Sequence, residues 1–287
     1  VARANAQNRK KDSQKPSIKR RVVALLFNAF LIGGLCVGGY VAYIYMRMPS
    51  LDAILNETRP AAVTILDKNG SEIRSSGRIM GAPVSVDTLP RHVWQAIVAI
   101  EDKRFFEHGP IDMRGITRAM LSNLVAGRVA AGGSTITQQT AKNIFLSRDK
   151  KISRKVQELI LSHWLENRFT KNQILDLYMN RVSLVGGMRG IDAAARVMFQ
   201  TPANKLSIAQ AAQIAAMLKA PTTYSPLRNP EKNIQRARVI LQEMVRQGYI
   251  TLNQARIAAQ QLKPAMATPD TNLYRYWTDY VIDEVKS

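Results

Sequence analysis

Val22 to Met46 is a run of 25 residues without a charged side chain, and Asn28 is its only strongly polar member. At ~1.5 Å per residue, a helix of that length crosses the ~30 Å hydrocarbon core of a bilayer with some tilt. A cleaved signal peptide would have a shorter apolar region and a small-residue cleavage site, neither of which is evident here. A buried core helix is the other reading of such a run. Before it, residues 1–21 carry Arg3, Arg9, Lys10, Lys11, Lys15, Lys19, Arg20 and Arg21 against Asp12, a net +7. The positive-inside rule puts this tail on the cytoplasmic side and residues 50–287 outside. Gly34, Gly38 and Ala42 form a small-xxx-small stripe on which the helix could dimerise, although glycine is common in membrane helices anyway.

The whole chain of 287 residues is +20, so the part beyond the tail is still +13. Such a balance suggests a polyanionic partner, and an outward-facing bulk argues against nucleic acid and for a membrane surface or a phosphorylated substrate. An apolar fraction of 46% with 22% charged residues is ordinary globular composition and rules out wholesale disorder. One cysteine, Cys36, excludes an intramolecular disulfide framework. His92, His108 and His163 are never at metal-ligand spacing, which argues against a zinc enzyme.

Residues 47–60 read as a linker. Val63 to Arg74 is two short extended runs around Asn69-Gly70, a strong hairpin signal. From Pro90 onward the pattern is helical. Thr170 to Gln173 and Ser207 to Gln210 are capping boxes opening apolar-periodic helices. Asn229-Pro230 starts a helix that stops at Gly248, with N-cap, N1 proline and terminal glycine in their preferred places. Residues 251–262 add one more. Val1 is not an initiator methionine and Ser287 ends inside the amphipathic stretch from Tyr274 to Val285, so the chain reads as a fragment of a longer protein.

Four clusters carry chemistry. In a helix from Arg91 to Phe106, Trp94, Ile97, Val98 and Glu101 form one stripe, so Glu101 stands where a core residue should be. A carboxylate there loses hydration, its pKa rises, and it becomes a usable general base; the competing reading turns it to water or pairs it with Lys103 or Arg104. Asp102 beside it reads as structural. Gly132 to Asn143 is a glycine-hydroxyl entry into a helix, which offers free N–H groups to an anion. Ser134, Gln138 and Lys142, spaced by four, line one face suited to a phosphorylated sugar; a flexible loop with a solvated face is the plainer alternative. In Lys150 to Glu158, Arg154 and Glu158 could be an exposed i, i+4 pair worth only a few tenths of a kcal/mol, roughly. Four positives within six residues, close to the Ser134–Lys142 face, could instead neutralise a pyrophosphate. Ile174 to Asn180 reads as a packing helix.

In order and spacing these segments resemble the peptidoglycan glycosyltransferase domain of class A penicillin-binding proteins and monofunctional bacterial transglycosylases. The resemblance covers roughly Ala62 to Thr251. Glu101 to His108 is similar to the family's first motif, Gly132 to Asn143 to its second, and Arg154 to Glu158 to its third. Lys171 to Asn180 is similar to the fourth, and Ala193 through Pro221 to the fifth. The resemblance implies a mainly α fold: a lysozyme-like head, and a smaller membrane-proximal jaw, here with a short N-terminal β-hairpin and one preceding transmembrane helix. It implies residues 1–21 as tail, 22–46 as membrane helix, 47–60 as linker and 61–262 as the catalytic domain. Residues 263–287 would begin a linker toward a transpeptidase domain absent here, so the parent is expected to be bifunctional.

By the same resemblance the substrates are lipid II and the nascent glycan, on the outer face of the bacterial cytoplasmic membrane, within a cell-wall synthesis complex or a homodimer. Glu101 matches the general base and Glu158 the second essential carboxylate. Ser134, Gln138, Lys142, Lys150, Arg154 and Lys155 match positions that hold sugar and pyrophosphate, and Thr135 and Asn143 in the second motif go with them. No cofactor is required, though a carboxylate near pyrophosphate makes Mg²⁺ admissible. The order His108-Gly109-Pro110, Gln157 in place of lysine, Met198 in place of tyrosine and Gln210 in place of glutamate depart from many members. A lysozyme-like hydrolase and a catalytically weak scaffold are the competing functions.

Overall fold

The computed structural model describes residues 18–46, 63–66, 68, 72–76, 81–127, 132–145, 152–184 and 188–265. The chain divides into two compact units, Val1–Met48 and Pro49–Ser287. In the first, α1 (Ile18–Met46) is a 29-residue helix. Its stretch from Lys19 to Met46 is long and apolar enough to cross a membrane. The helix starts four residues ahead of the charge-free run because Lys and Arg are good helix formers and nothing there breaks the ladder.

In the second unit, β1 (Val63–Leu66) and β2 (Glu72–Ser76) pair antiparallel, with an irregularity between Ile65 and Leu66. Asn69-Gly70 lies outside the described residues. The remainder is helical: α2 (Arg91–Glu101), α3 (Met113–Ala126), α4 (Ile136–Phe145), α5 (Ile152–Arg168), α6 (Lys171–Arg181), α7 (Ile191–Phe199), α8 (Ile208–Leu218), α9 (Pro230–Arg246) and α10 (Leu252–Gln261), with a 3₁₀ turn at Ala203–Lys205.

The centre of this unit is α8. Ala209, Ala211, Ala212, Ala215 and Ala216 are all essentially inaccessible, and small side chains let α2, α9 and α10 approach its axis closely. A helix apolar on every side must be surrounded. A second group packs α4 against α5 and α6, and α7 touches both α6 and α8. The capping boxes form as expected at Thr170/Gln173 and Ser207/Gln210, and a third opens α10 at Thr251/Gln254. Gly248 follows α9 with φ +71°, a conformation that favours glycine. The Asn229 side chain, expected to cap α9, makes no cap bond. It donates instead to the Thr222 carbonyl at 3.2 Å.

Residues 81–90 reach α2 as a strap pinned by side chains of α6 and α7. The Ala82 amide donates to Asp192 at 2.7 Å, Val84 exchanges two bonds with Asn180 at 2.9 and 2.7 Å, and the Val86 amide donates to Asp176 at 2.7 Å. Asp192 also accepts from the Ala203 amide at 2.8 Å and Arg196 Nε at 2.7 Å. A Cβ on Gly81 would stand 2.3 Å from the Ala193 nitrogen, so only glycine admits this approach. The Ile174–Asn180 segment packs as expected, with Ile174, Leu175, Tyr178 and Met179 buried, and it also supplies two of the strap's anchors.

Candidate active site

The helix expected over 91–106 ends at Glu101, the last residue of α2. The cause is Asp102. Its Oδ2 accepts the Ile136 amide at 3.0 Å, at the start of α4, and its Oδ1 is 2.7 Å from His108 Nε2. These bonds draw the chain out of the helix into a turn and tie it to α4, a structural role as expected. Burial by itself would lower the pKa of His108, but the Asp102 bond and the Gly109 carbonyl outweigh it and raise the value. Asp102, His108 and Asp112 bring potential ligand atoms within 4.8 Å of one another. Arg104 occupies Asp112 and the Ile136 amide occupies Asp102, so the trio is a closed hydrogen-bond network.

Glu101 closes the α2 stripe as expected and is half-buried. Burial raises its pKa, offset in part by a hydrogen bond from Gln139 and by the charges of Arg236, Lys142 and Lys219. Gln139 Nε2 donates to Glu101 Oε2 at 2.8 Å. The carboxylate stands on the wall of a cavity of about 580 Å³, to which Lys103, Arg118, Lys142, Lys219 and Arg236 contribute cations. Elements far apart in sequence thus meet here: the ends of α2 and α8, one face of α3, the Gly132–Thr135 loop, α4 and α9. A desolvated base beside cations can remove a proton while a leaving anion is stabilised.

The second motif splits between two surroundings. Ser134 and Lys142 line the cavity. Thr135 also lines it, but its hydroxyl donates to the Pro110 carbonyl at 2.9 Å and accepts the Gln138 amide at 3.2 Å, which caps α4. Gln138 is not among the cavity's walls. It is 2% exposed, donating to Pro110 O at 3.1 Å and accepting from Lys155 at 3.2 Å. Its neighbour Gln139 is the amide that faces the cavity. Asn143 is half-buried on α4 and is not among the cavity's walls. Pro110, part of the departure His108-Gly109-Pro110, thus supplies the carbonyl that anchors the start of α4.

Glu158 lies 3% exposed on α5, so the exposed-pair reading fails. Lys155 Nζ is 2.6 Å from one oxygen and Arg154 3.4 Å from the other. Lys155 also reaches Ser134 Oγ at 3.3 Å. Ser134 therefore joins the Glu158 cluster to the cavity, whereas Glu158, Arg154 and Lys155 themselves do not line it. Lys150 lies outside the described residues. Lys219 and Arg236 escaped the sequence reading; the first sits within the fifth motif, and a basic residue at a helix end was the one available signal.

The helical unit thus carries a desolvated carboxylate, Glu101, on a cavity wall shared with five cations. Residues 69–245, more than half of the chain, match the transglycosylase family, and the chain belongs to that family. Penicillin-binding protein 1A of Aquifex aeolicus (strain VF5) is 38% identical over 271 residues, covering 94% of this chain and 36% of that protein. Penicillin-binding protein 1F of Bacillus subtilis (strain 168) is 37% identical over 272 residues, covering 92% and 36%. A crystal structure of penicillin-binding protein 1A from Haemophilus influenzae has a TM-score of 0.48 and 22% identity, covering 78% of this chain and 24% of that one. The chain spans about a third of the length of the curated relatives it matches. The family read from the five motifs is the family of the chain.

Proposed function

We propose that the chain is a membrane-anchored peptidoglycan glycosyltransferase that polymerises lipid II into β-1,4 glycan strands, within a bifunctional penicillin-binding protein. The observation that carries this is Glu101, a base of raised pKa on a cavity wall shared with five cations. Glu101 takes the proton of the acceptor sugar's 4-hydroxyl as that oxygen bonds to the donor's anomeric carbon. The bond from that carbon to the α-linked pyrophosphate breaks, undecaprenyl pyrophosphate leaves with the electron pair, and attack from the opposite face inverts the centre. General-base assistance supplies roughly 10²–10⁴-fold, and positioned cations stabilise the departing charge.

Glu158 serves this chemistry through Lys155, which it orients toward the phosphates by way of Ser134, while Arg154 meets its other oxygen. Mg²⁺ at the pyrophosphate would draw on Glu158, but both its oxygens face cations of the chain. The ion does not fit that arrangement, and no step runs through it. The membrane supplies the second half of the argument. Met113, Ile116, Met120, Leu121, Leu124 and Val125 on α3 are exposed, and the buried residues of α3 are Gly115 and Ala119. This inverted stripe is the jaw that enters the outer leaflet, with α1 as anchor and the basic tail in the cytoplasm. Confining enzyme and lipid substrate to one bilayer raises their effective concentration.

The test is incubation of the full chain in detergent with labelled lipid II, with products resolved on a gel. A polymer ladder that vanishes in Glu101→Gln, with lipid II binding retained, is the expected result. Lost binding with retained turnover overturns the assignment of Glu101. Cleavage of pre-made glycan without polymerisation would establish a hydrolase, and binding without either reaction a scaffold.

A further inference from the structure

Tyr178 is 1% exposed on α6, inside the layer where α6 packs on α4. Its hydroxyl donates to Gln139 Oε1 at 3.4 Å, and the other end of that amide, Nε2, donates to Glu101 Oε2 at 2.8 Å. We infer that Tyr178 is a positioning residue for the base, fixing the Gln139 amide with its N–H end toward Glu101; the inference rests on the role of Glu101 proposed above.

The physical case is one of amide orientation. A carboxamide turned end for end keeps its shape but exchanges donor for acceptor. Toward an ionised Glu101 only the N–H end attracts; the oxygen end repels. A phenol facing Oε1 rewards that same orientation, because its proton has an acceptor to meet. A buried hydroxyl without a partner is costly, so a phenylalanine would pack equally well unless the oxygen had work here. The phenol keeps its proton throughout: burial, followed by the negative charge of Glu101, holds its pKa well above the ordinary tyrosine value. The groups that face Glu101 are Gln139 and Lys142 from α4, Lys219 just beyond α8, Arg236 from α9 and Tyr178 from α6. Of these, Gln139 is the neutral donor whose orientation can be lost without any change of charge.

Donation to the carboxylate favours its ionised form, so loosening the amide raises the pKa of Glu101 further. The experiment compares Tyr178→Phe, Gln139→Leu and the double variant in the full chain in detergent. Two readouts are taken: the pH profile of lipid II polymerisation, and carboxyl NMR titration of isotope-labelled glutamate, with the Glu101 signal assigned from Glu101→Gln. Tyr178→Phe should move the acid limb and the Glu101 titration upward by about one pH unit. On the acid limb kcat should fall roughly tenfold with KM nearly unchanged. Gln139→Leu should move both readouts in the same direction, and adding Tyr178→Phe to it should change nothing more. An unmoved Glu101 titration in either single variant, or additive effects in the double, overturns the inference. If the unaltered chain makes no polymer, the proposed function fails while the NMR titration still decides the role of Tyr178.

Discussion

Glu158→Gln tests whether the α5 cluster serves the chemistry or the fold. The substitution keeps the shape and removes a charge held by Lys155 at 2.6 Å and Arg154 at 3.4 Å. Breaking a buried pair by removing one partner costs about 3–5 kcal/mol when both ions are enclosed. Here the Lys155 side chain is 47% exposed and that of Arg154 24%, so water takes up much of the freed charge and the cost drops to about 1–2 kcal/mol. Stability therefore changes little, whereas activity should change much. Without Glu158, Lys155 loses the anchor that aims it at Ser134 and Gln138, and losing one positioned donor to a developing anion typically costs ~10²–10³-fold in kcat. The assay pairs urea denaturation with lipid II turnover for Glu158→Gln, Lys155→Ala and the double variant. Because the carboxylate acts through the ammonium, the double variant should be no worse than Lys155→Ala alone. Turnover near the unaltered rate in Glu158→Gln, with Lys155→Ala inactive, would refute the reasoning.

Other outcomes follow from the same contacts. Glu101 has a raised pKa in the folded chain, so folding loses stability as pH rises from the ordinary carboxylate range through the raised value. Glu101→Gln should therefore unfold at higher urea near neutral pH, by about 1.4 kcal/mol for each pH unit of that interval, while abolishing polymerisation. Asp192 shows the opposite sign: burial would raise its pKa, but the Ala203 amide, Arg196 and the Ala82 amide outweigh it and lower the value. Its contribution is present above the unfolded pKa and is lost as pH falls through the folded one. Asp192→Ala should cost about 1–3 kcal/mol by calorimetry, since it strands the buried Ala203 amide. Leu124→Asp on the exposed stripe of α3 should leave stability within about 0.5 kcal/mol and, in vesicles that hold the chain by α1, weaken the quenching of a fluorophore at Val125→Cys (Cys36→Ala background) by brominated lipid; unchanged quenching would remove the jaw from the membrane.

Part of the site was legible because its signals are local. The apolar stripe ending at Glu101 announced a carboxylate in core surroundings, and Glu101 lies half-buried where the stripe places it. The Ser207/Gln210 and Thr170/Gln173 boxes were legible for the same reason, since a cap engages residues within one turn. The choice between Gln138 and Gln139 was not legible. Both are polar, both follow the Gly132-Gly133 entry, and a spacing of four from Ser134 selects Gln138. But α4 begins only at Ile136, so Ser134 lies outside the helical period, and the packing of α4 on α5 and α6 turns Gln138 inward. The premature end of α2 was equally hidden, because no glycine or proline marks it; a bond from Asp102 to an amide 34 residues later does.

By itself, then, the sequence determined the elements whose causes act within a turn or two. These are the membrane-length α1, the capped helices, the stop at Gly248 and the presence of a carboxylate on an apolar stripe. Only the tertiary structure decided what that carboxylate faces. Lys219, Arg236 and Tyr178 come from the end of α8, from α9 and from α6, and a side chain's partners across such distances depend on helix phase and packing angle. Those are properties of the assembled core around α8, where the small residues let the helices close to contact.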